Sequence, residues 1–281
     1  MQLKIFFFFL INKLETKNVN SYRNVLHDFL LGLRFWRIWY ILGTKEIKLR
    51  YKRSKFGQLW HVLSTSLQIT FMGLIWAYLF KIPVKEFFPY LAVGKIFFEY
   101  LSLSVTGGMT FYYKERSFLL GARLPKSIFA YASSTYSLVT FLHNFLVLVA
   151  VVFIFQIHIN LNILFIIPGI TLIFINSIWV TILLGYLGTR FRDIPPLITS
   201  IMSMLMMITP VLWKVEMLPL YVQKYMILNP FYVFIKINRD AIFGYSPDYL
   251  YWGVAFLITI LGYIITFFML KRIMNRISFW V

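Results

Sequence analysis

Residues 128–157 read IFAYASSTYSLVTFLHNFLVLVAVVFIFQI, a run of 30 residues without Asp, Glu, Lys or Arg. A helix rises about 1.5 Å per residue, so about 20 apolar residues cross a hydrocarbon layer of about 30 Å. This run is longer than that minimum, which leaves room for a tilt or an extension past the membrane. It predicts a transmembrane helix and places the chain among the membrane proteins.

Five further segments have the same apolar character. They are Leu59–Phe80, Phe88–Tyr113, Ile163–Leu187, Leu197–Trp213 and Tyr249–Leu270. The segment Leu197–Trp213 has 17 residues, the lower limit for a spanning helix. The expected fold class is therefore an all-α membrane protein, with six transmembrane helices in residues 59–281.

The overall composition supports the same class. Of the 281 residues, 60% are apolar and 14% are charged, whereas a soluble domain has about 25% charged residues. The net charge of +18 does not indicate nucleic acid, because too little polar surface remains for a solvated basic face. We expect it to face anionic lipid and to set the topology. Without cysteine, the chain forms neither disulfides nor cysteine metal sites.

The basic residues lie mostly on one side of the predicted spans. Of the 28 Lys and Arg, 21 fall on the side of the termini and six on the opposite side. The excess of positive charge marks the cytoplasmic side, so both termini are expected there. The string GTRFRDIPP, residues 188–196, is then a cytoplasmic corner broken by Pro195 and Pro196. Within it, the spacing of Arg190 and Asp193 allows an ion pair across one helical turn.

Two regions are neither spans nor short loops. Residues 22–58 predict a helix whose basic and aromatic faces carry Lys45, Lys48, Lys52 and Lys55, and Trp36, Trp39 and Tyr40. Such a helix typically lies in the headgroup layer; the alternative is a solvated basic segment. Residues 214–248 contain three prolines and predict short helices that dip into the outer leaflet. Residues 1–21 are expected to form a mobile or interfacial tail.

Residues suited to catalysis are sparse. The histidines, at positions 27, 61, 143 and 158, lack the spacing of a helical metal site. His27 and Asp28 are adjacent and would point to different faces of a helix. The string GARLPKS, residues 121–127, differs from a P-loop in length and contains a proline. We therefore expect no catalytic residue, metal, cofactor or nucleotide site in this chain.

Lys95 and Glu99 form a charged pair inside the second predicted span. A charge at the bilayer centre costs about 2.5–3.5 kcal/mol on insertion scales, so the pair should face protein or water. Two interpretations remain open. The pair is either an internal ion pair that orients the span or part of the polar lining of a conduit.

Four strings occur in an order that resembles the membrane subunits of type 2 ATP-binding-cassette exporters. They are KEIKLRYKRSKFGQLW (45–60), KERSFLLGARLPKS (114–127), GYLGTRFRDIPPLI (185–198) followed by PVLW (210–213), and NPFYVFIKINRDAIFG (229–244). The likeness covers residues 30–280 and is greatest to permeases for O-antigen, capsule and teichoic acid. Thr65, where many relatives have proline, and the pair of Lys95 and Glu99 depart from the family pattern.

The resemblance implies a homodimer in the bacterial cytoplasmic membrane, with each subunit docked on a separate ATPase subunit that binds ATP and Mg. The positions that match the ATPase-coupling helix are Glu115, Arg116, Ser117, Phe118, Leu119, Leu120, Gly121, Ala122 and Arg123. Those that match the interface helix are Lys45, Lys48, Arg50, Lys52, Arg53 and Lys55. The implied cargo is a glycan on an undecaprenyl carrier. The corner with Arg190, Arg192 and Asp193 is either structural or a second contact with the ATPase.

Aromatic residues are the remaining candidates for the conduit. Phe71, Trp76, Tyr78, Phe80 and Trp213 either stack on sugar rings or anchor the helices in lipid. Two other functions stay open. One is a type 2 exporter for a drug or small lipid, and the other is an integral-membrane glycosyl- or acyltransferase. The transferase would need an acidic or histidine pair at a membrane face.

Overall fold

A computed structural model gives the structure of residues 25–50, 57, 59–121 and 124–280, and these described residues form helices and their connections without a strand. The expected tail, residues 1–21, lies outside them. The helices are α1 (Val25–Arg34), α2 (Trp36–Arg50), α3 (Leu59–Phe80), α4 (Val84–Lys114), α5 (Arg116–Gly121), α6 (Ser127–Ile154), α7 (Ile166–Arg190), α8 (Ile194–Ile208), α9 (Leu220–Gln223), α10 (Pro230–Ile242), α11 (Tyr249–Ile273) and α12 (Ile277–Trp280). The expectation of an all-α fold is confirmed.

Four of the described helices are long and apolar enough to cross a membrane: α3, α6, α7 together with the 3-10 turn before it, and α11. The chain is therefore a multi-pass membrane protein. The helix α8 is apolar but has 15 residues. It ends before the predicted bound at Trp213, because Thr209 is extended ahead of Pro210.

The long helix α4 is the centre of the bundle. It has 31 residues, and buried side chains occur along most of its length. The helices α3, α6, α7, α8 and α10 all pack against it. A Cβ atom at Gly188 of α7 would lie 2.6 Å from the carbonyl oxygen of Met109. Glycine at this position therefore lets α7 approach α4 closely, as in other membrane helix pairs.

The outer helices of the bundle expose their apolar side chains. On α3, Phe71 and Ile75 are about two-thirds exposed, and Met204 and Met207 on α8 are similarly exposed. A helix that buries small residues on one side and exposes large apolar ones on the other is suited to lipid. The polar groups that the bundle encloses are consequently candidates for function.

Candidate functional site

A cavity of about 320 Å³ lies between α3, α4, α6 and α8. Its wall combines apolar side chains, such as Leu103 and Met202, with hydroxyl groups that include those of Thr140 and Ser203. A pocket with mainly apolar walls and a few polar groups is typical of a binding site. Because helices that are apolar overall enclose these polar groups, the cavity is the first candidate functional site.

A charged network lines one side of the cavity. The Lys95 ammonium donates to the Glu99 carboxylate, and their side chains are 5% and 29% exposed. Asn144 of α6 donates through Nδ2 to Glu99 Oε2 at 3.2 Å, and the same nitrogen lies 3.2 Å from Nε2 of His61 on α3. The network therefore joins three helices. It is an internal ion pair that also borders the cavity, and a role in a conduit stays a prediction.

The predicted aromatic lining lies elsewhere. Phe71 and Tyr78 are 63% and 77% exposed on α3. Trp76 packs against Phe80, with ring centres 5.3 Å apart, and Trp213 donates from Nε1 to the Met207 carbonyl at 2.8 Å. None of these residues lines the cavity between α3 and α8. Their part in a conduit stays a prediction.

A second candidate site is the corner between α4 and α5, which is joined to α2. Lys45 Nζ lies 3.3 Å from Glu115 Oε1, and Lys114 Nζ lies 3.0 Å from Glu46 Oε1. Lys45 also lies 5.0 Å from the centre of the Phe118 ring, within the range of a cation–π contact. The predicted interface and coupling helices therefore touch each other, and sequence spacing alone did not indicate this.

The short helix α5 is amphipathic. Leu119 is buried, and Phe118 is half-buried against the bundle. The exposed residues are Arg116, Ser117, Leu120 and Gly121. Ala122 and Arg123, which end the predicted coupling segment, lie outside the described residues. Among the described residues, this face of α5 is exposed and suited to a partner.

The helix α2 lies against α6 rather than standing apart from the bundle. Leu42 is buried, and a Cβ at Gly43 would lie 2.5 Å from the Ala132 carbonyl oxygen. Trp36 and Tyr40 are 54% and 50% exposed, and a position of this helix in the headgroup layer stays a prediction.

The predicted faces of this region are described only in part. Trp39 does not share the exposed aromatic face, because it packs on Tyr131 of α6 at 6.0 Å. Lys48 is exposed. Of Arg50 only the backbone is described, and Lys52, Arg53 and Lys55 lie outside the described residues.

A buried carboxylate ties α1 to the start of α6. Asp28 accepts hydrogen bonds from the backbone amides of Lys126 at 2.8 Å and Ser127 at 2.9 Å. The Ser127 hydroxyl in turn donates to the Asp28 carbonyl at 2.7 Å. Two amides at a helix N-terminus are thereby satisfied by a distant side chain. Burial raises the pKa of Asp28, and the hydrogen bonds from Ser127 and Lys126 oppose that rise.

The corner GTRFRDIPP is held by aromatic contacts. The Arg190 guanidinium lies 5.0 Å from the ring centre of Phe191 and 5.1 Å from that of Trp280 on α12. Arg192 lies 4.8 Å from the ring centre of Tyr113 at the end of α4. The spacing of Arg190 and Asp193 allowed an ion pair, but the pairs recorded among the described residues do not include it. The corner is thus joined to α4 and α12.

On the opposite end of the bundle, Arg239 of α10 is 5% exposed. Its Nη2 donates to the carbonyl oxygens of Pro210 at 3.1 Å and Tyr90 at 3.4 Å. The guanidinium also lies 3.7 Å from the centre of the Tyr90 ring. Arg239 therefore fastens the end of α8 and the start of α4 to the segment 214–248, which contains short helices as predicted.

Sequence reasoning missed three of these residues. Asn144 is a polar residue within an apolar run, a signal that membrane helices give for buried polar contacts. In the sequence, Asp28 has only His27 as a polar neighbour, and Arg239 shows only a positive charge. Their partners are separated by about 30 to 150 positions, so local spacing does not reveal these contacts.

Comparison with known proteins gives three similar relatives and one family. The family model described as ABC-2 type transporter matches residues 37–243. Two proteins of Klebsiella pneumoniae, each named O-antigen export system permease protein RfbA, are 22% and 21% identical to the chain. Each alignment covers 79% of this chain and 88% of the relative. A protein of the same name from Myxococcus xanthus is 24% identical over 62% of this chain and 67% of its own length.

Proposed function

The chain belongs to the ABC-2 type transporter family, and on that premise we propose that it is the permease subunit of an ATP-driven exporter of a lipid-linked polysaccharide. The cargo class is an O-antigen, capsule or teichoic-acid type glycan on an undecaprenyl carrier. The observation that carries the proposal is the likeness to O-antigen export permeases across 79% of the chain. The cavity between α3, α4, α6 and α8 has mainly apolar walls with a few polar groups, and its charged pair and hydroxyl groups are consistent with transport of a hydrophilic cargo.

The proposed topology has six spans with both termini in the cytoplasm of a bacterial cell, in the inner membrane. The two spans besides the four apolar helices are α4 and α8. The helix α4 is long enough at 31 residues, and the two charges inside it are paired with each other. The helix α8 and the turn up to Trp213 together make the fifth span, with the shortest helix of the six.

Two copies of the chain are proposed to work with a separate ATPase subunit, which binds ATP and Mg. The exposed face of α5, with Arg116 and Leu120, is the proposed docking surface for the ATPase. The ion pair between Lys45 of α2 and Glu115 connects α2 to the start of α5. Because α2 lies along α6, we expect a movement of α5 to displace α2 against α6. Residues 22–58 are proposed to rest on anionic lipid.

Depletion of the chain tests the proposed cargo. Cells that lose the permease should accumulate the lipid-linked glycan on the cytoplasmic side and lose it from the surface. The measurement is mass spectrometry of extracted undecaprenyl-linked glycan together with surface staining. A matched control is depletion rescued by the wild-type chain. Normal surface glycan without the chain would overturn the proposal, and accumulation of a small lipid or drug instead would reassign the cargo.

A further inference from the structure

Lys126 is the residue at which the segment that contains α5 returns to the bundle. It directly precedes α6 and lies five positions after Gly121, the last residue of α5. The Tyr112 hydroxyl, near the end of α4, donates to the Lys126 carbonyl at 3.2 Å. This hydrogen bond joins the two ends of the segment, because Tyr112 precedes α5 and Lys126 follows it. A displacement of α5 therefore acts on Lys126 through a short length of chain, at most about 18 Å when extended.

The side chain of Lys126 contacts the end of α11. Its Nζ donates to the Met274 carbonyl oxygen at 2.7 Å, and Met274 directly follows the last residue of α11. The last carbonyls of a helix have no partner inside it, and a cation placed there interacts favourably with the helix dipole. Lys126 therefore caps α11 from a position that is 148 residues away in the chain.

The space around this contact is small. A cavity of about 10 Å³, about the room for one water molecule, is lined by residues that include Asp28, Tyr112, Lys126, Tyr186 and Met274. The Tyr186 hydroxyl donates to the same Met274 carbonyl at 3.5 Å. Burial lowers the pKa of Lys126, and the charge of Asp28 opposes that fall. The ammonium is thus held among packed groups, so we expect a displacement of Lys126 to move its acceptor as well.

The chain beyond Met274 continues to the corner GTRFRDIPP. A single 3-10 turn connects Met274 to α12, in which Ile277 is fully buried. The ring centre of Trp280, the last residue of α12, lies 5.1 Å from the Arg190 guanidinium. The end of α11 is therefore fastened both to Lys126 and to the corner that contains Arg190.

We propose that Lys126 is a positioning residue, which transmits a movement of α5 to the end of α11 and, through α12, to the corner at Arg190. The inference rests on the proposed function and on α5 as the docking surface for the ATPase. A residue that transmits movement differs from one that only stabilises the fold. Its loss separates ATP hydrolysis from export while the chain still folds and binds the ATPase.

Removal of the ammonium tests this role. Lys126→Met keeps most of the aliphatic stem and both backbone hydrogen bonds of the residue. In the complete complex with the ATPase, we expect hydrolysis to continue and the amount of glycan exported per ATP to fall about fivefold or more. Lys126→Arg keeps a cation that donates hydrogen bonds and should retain most of the ratio. An unchanged ratio in Lys126→Met, or an equal loss in Lys126→Arg, would overturn the proposal.

A variant on the same helix separates transmission from stability. Asn176 Nδ2 of α7 donates to Thr259 Oγ1 of α11 at 2.8 Å, and Thr259→Val removes this bond 15 positions before Met274. We expect both Lys126→Met and Thr259→Val to lower the thermal midpoint of the chain in detergent. Export per ATP should fall in Lys126→Met alone. An equal fall of this ratio in Thr259→Val would assign Lys126 to stability and contradict the proposed transmission.

A fluorescent probe reports the movement independently of the cargo. Arg272→Cys places a single thiol at the exposed end of α11, since the chain has no cysteine of its own. The thiol is labelled with an environment-sensitive fluorophore before the ATPase is added. Emission should change when ATP binds to the complex, and Lys126→Met should lose most of this change while Thr259→Val keeps it. No response to ATP with Lys126 present, or the same response in Lys126→Met, would rule out transmission through this residue.

The two proposals fail separately. If surface glycan depends on the chain and Lys126→Met keeps normal coupling and probe response, the role of Lys126 is wrong and the exporter stands. If surface glycan does not depend on the chain, the exporter itself is wrong, whatever the probe reports.

Discussion

At the scale of single residues, the Lys95 ammonium depends on the Glu99 carboxylate as its ion-pair partner. Its side chain is 5% exposed and pairs with Glu99. Glu99→Gln leaves the ammonium enclosed with a weaker partner, and we expect the free energy of unfolding to fall by about 1–3 kcal/mol. The double variant Lys95→Met with Glu99→Gln should recover most of that loss, because neither charge remains. Thermal unfolding of the purified chain in detergent measures both.

Export assays on the same variants distinguish the two interpretations of the pair. If Glu99→Gln assembles normally in the membrane and loses export, the pair contributes to the conduit. Loss of both assembly and export would assign it to structure alone. Unchanged stability in Glu99→Gln would show that the ammonium does not depend on this carboxylate.

Asp28 makes a second residue-scale prediction. Its carboxylate holds two backbone amides at the start of α6, so Asp28→Ala should lower the free energy of unfolding by about 0.5–2 kcal/mol, the usual effect of a lost N-cap. Asp193→Ala is the control, because Asp193 precedes α8 without a capping hydrogen bond from its side chain. Equal effects in calorimetry or thermal melts would contradict the capping role of Asp28.

At the scale of elements, α2 and the start of α5 form one unit through Lys45 and Glu115. Lys45→Glu places like charges together, and we expect ATP hydrolysis to continue in the ATPase complex while export falls. The reversed pair, Lys45→Glu with Glu115→Lys, should restore export because the attraction returns. The ratio of glycan exported to ATP hydrolysed is the measurement.

Arg116→Glu is the matched variant on the exposed face of α5. Arg116 is exposed and forms no ion pair among the described residues. We therefore expect Arg116→Glu to uncouple export from ATP hydrolysis. Addition of Glu115→Lys should not restore export in this variant. Rescue of both single variants by Glu115→Lys would mean a general charge effect. Full export in Arg116→Glu would argue against α5 as the coupling helix.

The apolar patterns in the sequence predict the bounds of the helices better than they predict the contacts between helices. The first span was predicted as Leu59–Phe80 and α3 has those bounds, because hydrophobicity and helix length are local properties. The fifth segment ends earlier than predicted, since Pro210 acts on the residue before it. The cavity was predicted only through Lys95 and Glu99. Asn144 of α6 joins them by packing of separate helices, which no single segment encodes.

At the scale of the whole molecule, the distribution of Lys and Arg and the positions of the helices both distinguish the two ends of the bundle. Arg190 and the corner of α5 lie near the ends of α7 and α4, while Arg239 lies on α10 in the segment 214–248. The side with the larger excess of Lys and Arg therefore carries the proposed ATPase surface, and the other side carries α9 and α10. The proposed orientation of the chain and the proposed ATPase surface on α5 therefore depend on each other, and one topology measurement can contradict both.

The absence of cysteine makes that measurement clean, because an introduced cysteine is the single thiol of the chain. Ser117→Cys marks the exposed face of α5, and Lys224→Cys marks the opposite side; both positions are exposed. In intact spheroplasts, a membrane-impermeant maleimide should label Lys224→Cys at once and Ser117→Cys only after permeabilisation. The wild-type chain is the blank. Labelling of Ser117→Cys from outside would invert the topology and remove α5 from any cytoplasmic ATPase.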